Sequence, residues 1–246
     1  MKVLAIDSSS VVAGVAILDG DQLLYEVYHH HKRNHSEILM PLVEEALNSS
    51  DLQPEDIDLF AVSEGPGSFT GLRIGVSTIK GLAQAVEKPV VAVPTLDAMA
   101  WNIVSSGVLV CPIMDARRNQ VYTSVYRRQG DECNKLMPYS ALPLEELTEH
   151  LNTYREDVTF VGDGIPVYRS LLEEKMGMRA IFAPPYLAYQ RASVIACLGQ
   201  KQALAGNEIH YRELKPFYLR KSQAEQKRKQ KEEAQHGAAD SSNDGS

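Results

Sequence analysis

Residues 2–30 read KVLAIDSSSVVAGVAILDGDQLLYEVYHH. Lys2 to Asp7 is an apolar run short enough for one strand. Val11 to Leu18 is rich in β-branched residues and reads as a second. Asp19-Gly20-Asp21 separates it from Gln22 to His30. Asp-Gly between two apolar runs is a strong hairpin signal, because Gly accepts the positive φ that tight hairpin turns require. The chain therefore opens with three consecutive strands, and an aspartate ends the first.

Further along, Val108 to Met114 reads as a strand ending at Asp115. Val121 to Arg127 follows, then a turn at Gln129-Gly130-Asp131, then Glu132 to Met137. The aspartates are offset by 108 residues and the turn glycines by 110. Three elements recur in order, which is the signature of an internal repeat. Between the two starts, Arg33 to Leu47 reads as a helix, with Asn34 as N-cap and Glu37 three residues on. Pro41 inside it predicts a kink or a later start. Leu59 to Ser63 reads as a strand, Gly65-Pro66-Gly67-Ser68 as a loop, Gly71 to Val86 as a helix, Pro89 to Val93 as a strand and Asp97 to Val104 as a helix. In the second half, Leu144 to Tyr154, Pro166 to Met176 and Arg191 to Leu204 read as helices, and Val158 to Gly162 as a strand. Gly206 is the stop signal after the last.

The expectation is a duplicated α/β fold of the actin, Hsp70 and hexokinase kind. A first lobe spans 1–106, a second spans 107–220, and a polar tail, read as disordered, spans 221–246. In that group the strand-to-strand turns grip ATP phosphates, usually as Asp-x-Gly. Here the turns are Asp7-Ser8-Ser9 and Asp115-Ala116-Arg117, without the glycine. Ser8 to Ser10 can still offer hydroxyls and amides to phosphate; the plainer reading is a polar turn without ligand. Gly162-Asp163-Gly164, between a strand and a helix, is either an adenosine-side turn or a tight turn capped by Asp163.

Composition limits the rest. The 246 residues carry a net charge of −7, with 44 % apolar and 23 % charged residues. No apolar run approaches the roughly 18–20 residues of a membrane helix, and no secretory signal opens the chain, so the expected location is cytoplasmic. Cys111, Cys133 and Cys197 form no CxxC pair and predict reduced thiols rather than a disulfide framework or zinc knuckle. The tail balances Lys221, Lys227, Arg228, Lys229 and Lys231 against Glu225, Glu232, Glu233, Asp240 and Asp244. The −7 therefore belongs to the body. An acidic body predicts that any RNA is held mainly by something else, since phosphate binding needs clustered Lys and Arg. His31 and His35 have the i, i+4 spacing of a helical metal pair, but Lys32 and Arg33 beside them disfavour a cation.

Gly65-Pro66-Gly67-Ser68-Phe69-Thr70-Gly71-Leu72-Arg73-Ile74-Gly75 is the densest signal. It feeds a helix N-terminus, a place suited to an anion, but lacks the GK[ST] of a P-loop. Each interior helical Gly costs about 1 kcal/mol relative to Ala, so close approach of another backbone must offset it. Gly71, Gly75 and Thr78 form a small-residue stripe. Either the helix packs tightly on its own sheet or it also meets a partner.

GPGSFTGLRIG, with IDSSS at the start and VPTLDAMA after the second helix, resembles the TsaB (YeaZ) family over essentially residues 1–220. The resemblance implies a subunit of the machinery that makes threonylcarbamoyl-adenosine next to the anticodon of tRNA. It implies pairing with a catalytic TsaD-like subunit and with a TsaE-like ATPase, and self-association as a homodimer when alone. The catalytic paralogue carries an HxxxH metal pair where this chain has Thr95 and Met99. Those are weak ligands for a divalent metal, so neither a metal nor a cofactor is expected here, and no catalytic residue. The family's pairing surface resembles a four-helix contact, which maps onto Ile38, Leu39, Leu42 and Val43 of one helix and Gly71, Leu72, Gly75, Thr78, Ile79 and Leu82 of the other. Asp7, Ser8, Ser9, Asp115, Gly162 and Gly164 remain as vestigial phosphate or nucleotide contacts. Two rival readings are an ATP-dependent small-molecule kinase of the same fold, and a metallopeptidase, which lacks both a metal site and a base.

Overall fold

The computed structural model describes residues 1–30 and 35–220. The expected helix start at Arg33, its cap Asn34, His31 and the tail 221–246 lie outside the described residues.

The first sheet comprises β1 (Lys2–Asp7), β2 (Val12–Asp19), β3 (Gln22–His30), β4 (Leu59–Gly65) and β5 (Val90–Pro94), in the order β3-β2-β1-β4-β5. β1, β2 and β3 form the expected antiparallel meander, with Gly20 at φ +57 in its turn. β4 and β5 add in parallel on the other side of β1. Parallel strands covered on both faces read as continuous apolar runs, and Val3 to Ile6 are fully buried.

Helices α1 (His35–Ser49) and α2 (Phe69–Val86) cover one face of this sheet. Leu39, Val43, Ala46, Val76 and Ile79 meet Ile6, Val15, Phe60 and Val62 there. Removing each of the larger of these side chains from water contributes about 1.5–3 kcal/mol. α1 runs on through Pro41. α2 starts two residues before the expected Gly71, because the Ser68 hydroxyl accepts from the Gly71 amide and caps it.

The second sheet comprises β6 (Leu109–Asp115), β7 (Gln120–Thr123), β8 (Tyr126–Gln129), β9 (Glu132–Lys135), β10 (Ser140–Pro143), β11 (Val158–Val161) and β12 (Ala180–Phe182). Its main path, β10-β7-β6-β11-β12, reproduces the order of the first sheet. The duplication is real, but its third strand is not where the turn glycines put it. The segment Val121 to Arg127 breaks at Ser124-Val125 into β7 and β8. The Gly130 turn joins β8 to β9, a hairpin off the main path; β10 stands where β3 stands in the first sheet.

The remaining helices are α3 (Thr95–Trp101), α4 (Leu144–Asn152), α5 (Ile165–Met176) and α6 (Ala192–Leu204). Two of them cross between the halves. Leu96, Met99 and Ala100 of α3 belong to the core built on the second sheet. Ile195, Ala196 and Leu198 of α6 cover the free face of the first sheet, against Val3, Ala5, Leu59, Ala61, Val91 and Val93. Residues 192–214, numbered within the expected second lobe, thus complete the first: Ile209 bridges Val90 and Leu214 is buried in the α1–α2 core. No described helix is long and apolar enough to cross a membrane.

Candidate functional site

The carboxyl ends of β1, β4 and β6 converge on a cleft between the halves, as expected where strands of an α/β sheet end. The cleft encloses about 860 Å³. Ser9, Ser10, Gly67 to Thr70 and Arg73 line it from the first half. Asp115 to Arg118, Tyr122 and Asp163 line it from the second, and Phe217 to Arg220 close one side.

The β1–β2 turn is spent on its own neighbourhood. Oδ1 of Asp7 accepts from the Ser9 amide at 2.8 Å and the Ser9 hydroxyl at 2.7 Å. The Ser8 hydroxyl donates to the Gly71 carbonyl at 2.9 Å, and that of Ser10 to Gln190 Oε1 at 2.7 Å. The Ser68 amide donates to the Ser9 carbonyl at 2.7 Å. Asp7 is buried, and burial pushes its carboxyl up against the Ser9 hydrogen bonds. Its Oδ2 has no protein partner. The nearby Ser63 hydroxyl, also without a partner, favours the ionised form.

Glycine makes this closure possible. A Cβ at Gly67 would run into the Ser9 carbonyl oxygen, at Gly71 into that of Ser8, and at Gly75 into the Ser8 hydroxyl. Gly71 and Gly75 of the small-residue stripe therefore face the chain's own turn, not outward. Of the residues mapped to a partner surface, Leu39, Leu42, Val43, Leu72 and Ile79 are likewise inside the fold. Ile38, Thr78 and Leu82 are part-exposed. Beside them Met40, Pro41 and Gly81 are exposed, and a Cβ on Gly81 would meet nothing within 4 Å.

The second turn is built differently. Asp115 is exposed; its Oδ1 accepts from the Arg117 amide at 2.8 Å and from the Tyr168 hydroxyl at 3.0 Å. Arg117, Arg118 and Asn119 follow in the left-handed region at φ 63, 55 and 57. Strain of that kind in successive non-glycine residues persists only when the surroundings enforce it. The Gly162 and Gly164 amides donate to the Ala188 and Ile113 carbonyls. A Cβ on Gly162 would run into that same Ile113 oxygen. Asp163 does not cap α5 as expected: its Oδ1 accepts from the Asp115 amide at 3.3 Å, and the cap position is Gly164. Burial, with Asp115 and Asp7 nearby, raises the Asp163 carboxyl to about 6.

Thr95 and Met99 are fully enclosed, Thr95 Oγ1 without a partner and Met99 packed toward Gly162. Asp97 between them was not singled out by sequence reasoning. Its Oδ1 accepts from the Tyr126 hydroxyl at 2.6 Å and the Tyr139 hydroxyl at 2.8 Å, and pairs with Lys135 at 3.1 Å. It ties α3 to β8, β9 and the segment before β10. The His35 Nε2 bonds the Ser10 carbonyl at 2.7 Å, fastening α1 to the turn.

A duplicated two-lobed α/β fold with its turns facing across a cleft defines the actin, Hsp70 and hexokinase class. The family described as "TsaD: tRNA N6-adenosine threonylcarbamoyltransferase" matches residues 23–228. A protein of Bacillus subtilis, "tRNA threonylcarbamoyladenosine biosynthesis protein TsaB", is 35% identical over 227 residues, 92% of this chain and 97% of its own length. The protein of that name from Haemophilus influenzae is 28% identical over 228 residues, 89% of this chain and 94% of its own. The solved structure of YeaZ from Pseudomonas aeruginosa superposes with a TM-score of 0.71 at 26% identity, covering 89% of this chain and 99% of that one. The chain belongs to the TsaB (YeaZ) family.

Proposed function

We propose that this chain is a non-catalytic subunit of the machinery that forms threonylcarbamoyl-adenosine on tRNA. It pairs with a TsaD-like catalytic subunit, recruits a TsaE-like ATPase, and pairs with itself when the partner is absent. The relatives' names supply the pathway. The observation that carries the non-catalytic role is the enclosure of Thr95 and Met99: a hydroxyl and a thioether, both at 0 % exposure, where the resemblance puts the paralogue's histidines. Neither is a good ligand for a divalent metal. The β1–β2 turn supports the same reading, because the hydroxyls of Ser8, Ser9 and Ser10 already have partners within the chain.

The partner surface is the outer edge of α1 and α2. Ile38, Pro41, Thr78 and Leu82 border it, and Gly81 sits exposed in a helix interior with no contact of its own to require it. A backbone so bare is suited to close approach by another helix. The decisive experiment depletes this protein from cells and measures tRNA nucleosides by mass spectrometry. Loss of threonylcarbamoyl-adenosine, restored by the chain, is expected. Normal modification, together with tight magnesium-dependent ATP binding by the isolated chain, would replace this reading with the kinase.

A further inference from the structure

The cleft is lined by charges of both signs. Its carboxylates are Asp115, exposed at the β6–β7 turn, and the half-buried Asp163, while Asp7 lies buried beneath the β1–β2 turn. Its rim is basic: Arg73, Arg117 and Arg118 are exposed and Arg220 is partly so. A second hollow of about 420 Å³ adjoins the cleft, sharing Arg73 and Tyr218, and adds Lys80 and Lys215. Six cations therefore follow one another across two hollows of a protein whose net charge is −7. Among the described residues none of the six forms an ion pair with a carboxylate.

Several of these cations are held in position by the fold. Arg73 lies over the Phe69 ring at 4.0 Å and donates to the Tyr218 hydroxyl at 3.1 Å. Lys80 donates to the Leu214 carbonyl at 3.1 Å. Arg220 reaches the Ala116 carbonyl at 3.4 Å. Arg117 and Arg118 project from the strained left-handed turn. Lone arginines and lysines along a line, each with donors to spare, are what neutralising a chain of phosphates requires.

We propose that this basic rim binds the sugar–phosphate backbone of RNA, running from the Arg117–Arg118 turn past Arg220 and Arg73 to Lys215. The proposal rests on the reading of the chain as part of tRNA modification and adds a substrate contact to it. An extended backbone fits better than a free nucleotide for two reasons. The track continues beyond the cleft, and at the β1–β2 turn the serine hydroxyls are already bonded and the neighbouring carboxylates disfavour a phosphate.

The test uses the full chain and a fluorescently labelled, unmodified tRNA transcript, followed by anisotropy across a salt series. Removal of one phosphate contact should weaken binding several-fold at low salt. It should also flatten the log–log salt dependence by about 0.7–0.9. Lys215→Gln, at the far end of the track, should show this, and Arg117→Gln with Arg118→Gln, which removes two cations, should flatten the slope by about twice as much. Arg169→Gln, in the Arg169–Glu173 pair on α5, is the control and should bind as wild type does. Arg118→Gly removes a cation while relieving its φ of 55, so it should keep the thermal midpoint and still lose affinity. Rim variants that bind like the control overturn the proposal. Displacement of the tRNA by micromolar ATP also overturns it, assigning the rim to a free nucleotide. The binding readout does not depend on modification. If the wild-type chain restores threonylcarbamoyl-adenosine in depleted cells but the rim variants bind tRNA normally, only the rim assignment falls. If the wild-type chain restores nothing, the proposed function falls while the binding result stands.

Discussion

Gly71 lies directly beneath Ser8: the serine hydroxyl donates to the Gly71 carbonyl, and its own carbonyl oxygen occupies the space a Gly71 side chain would need. The opposing atom is backbone, so nothing flexible can move aside. Gly71→Ala gains helix propensity of up to about 1 kcal/mol but forces the turn and α2 apart, at a cost of about 1–3 kcal/mol. Urea unfolding should find the variant less stable than wild type. An unchanged midpoint would mean that the turn yields.

Gly81 is the opposite case in the same helix, with open space around its Cα. In the monomeric chain Gly81→Ala should stabilise by about 0.5–1 kcal/mol, the helix-propensity difference. Against a partner helix the added methyl should weaken pairing. Analytical ultracentrifugation with the TsaD-like subunit checks this; equal association would remove Gly81 from the partner surface.

Asp163 makes stability depend on pH. Its carboxyl titrates near 6 in the fold against an ordinary 3.8. The native state therefore holds its proton more tightly than the unfolded chain does. That advantage is complete below pH about 4 and is lost as pH rises through 6. Asp163→Asn should be about as stable as wild type at pH 4 and more stable by about 1–3 kcal/mol at pH 7.5. Thermal melts at the two values measure it. A variant equally destabilised at both would show that the charge is needed where it is.

Glu26 has the reverse sign. Burial works to raise its carboxyl, but hydrogen bonds from Arg191 and from the hydroxyl and amide of Ser193 more than offset that, and it titrates below its ordinary value. Its contribution is present above pH about 4.5 and fades as pH falls through the lowered value. It joins β3 to the start of α6. Glu26→Gln should cost about 1–3 kcal/mol at pH 7, and the two melting curves should converge in acid. A cost independent of pH would assign the effect to packing.

Asp97 gathers Tyr126, Tyr139 and Lys135 on one carboxylate. The Tyr126 hydroxyl is raised by burial and then by the Asp97 charge. Asp97→Ala strands that hydroxyl in a buried site, which costs about 1–3 kcal/mol. Amide exchange should rise first in β8 and β9, where the tie ends. Exchange spread evenly over both sheets would contradict a local role.

The sequence revealed strands better than partners. The β1–β2–β3 meander was legible because Asp19-Gly20-Asp21 carries its turn geometry in its residue types. The equivalent third strand of the second sheet was not. β10 is four residues long and ends in Pro143, while the Gly130 turn advertises a hairpin that pairs elsewhere. Break and change of partner at Ser124-Val125 leave no trace in periodicity, since both residues are buried. The glycine spacing in α2 was visible, but spacing fixes a stripe and not its direction. Composition gave the net charge correctly and hid its arrangement. The cations of the rim come from α2, the β6–β7 turn and the last described segment, and only folding brings them into line.

Helix α6 carries a consequence for how the protein is made. It covers Val3, Ala5, Ala61 and Val93, and its Gly199 allows the backbone to approach Ala61. When residues 1–106 have left the ribosome, that apolar sheet face has no cover, and its cover lies nearly a hundred residues downstream in the message. The amino-terminal half must wait through synthesis of the other half before its own core closes. The emerging chain is therefore most open to chaperones and proteases during that interval, and cutting the gene at the midpoint would yield two halves that each need the other to become soluble.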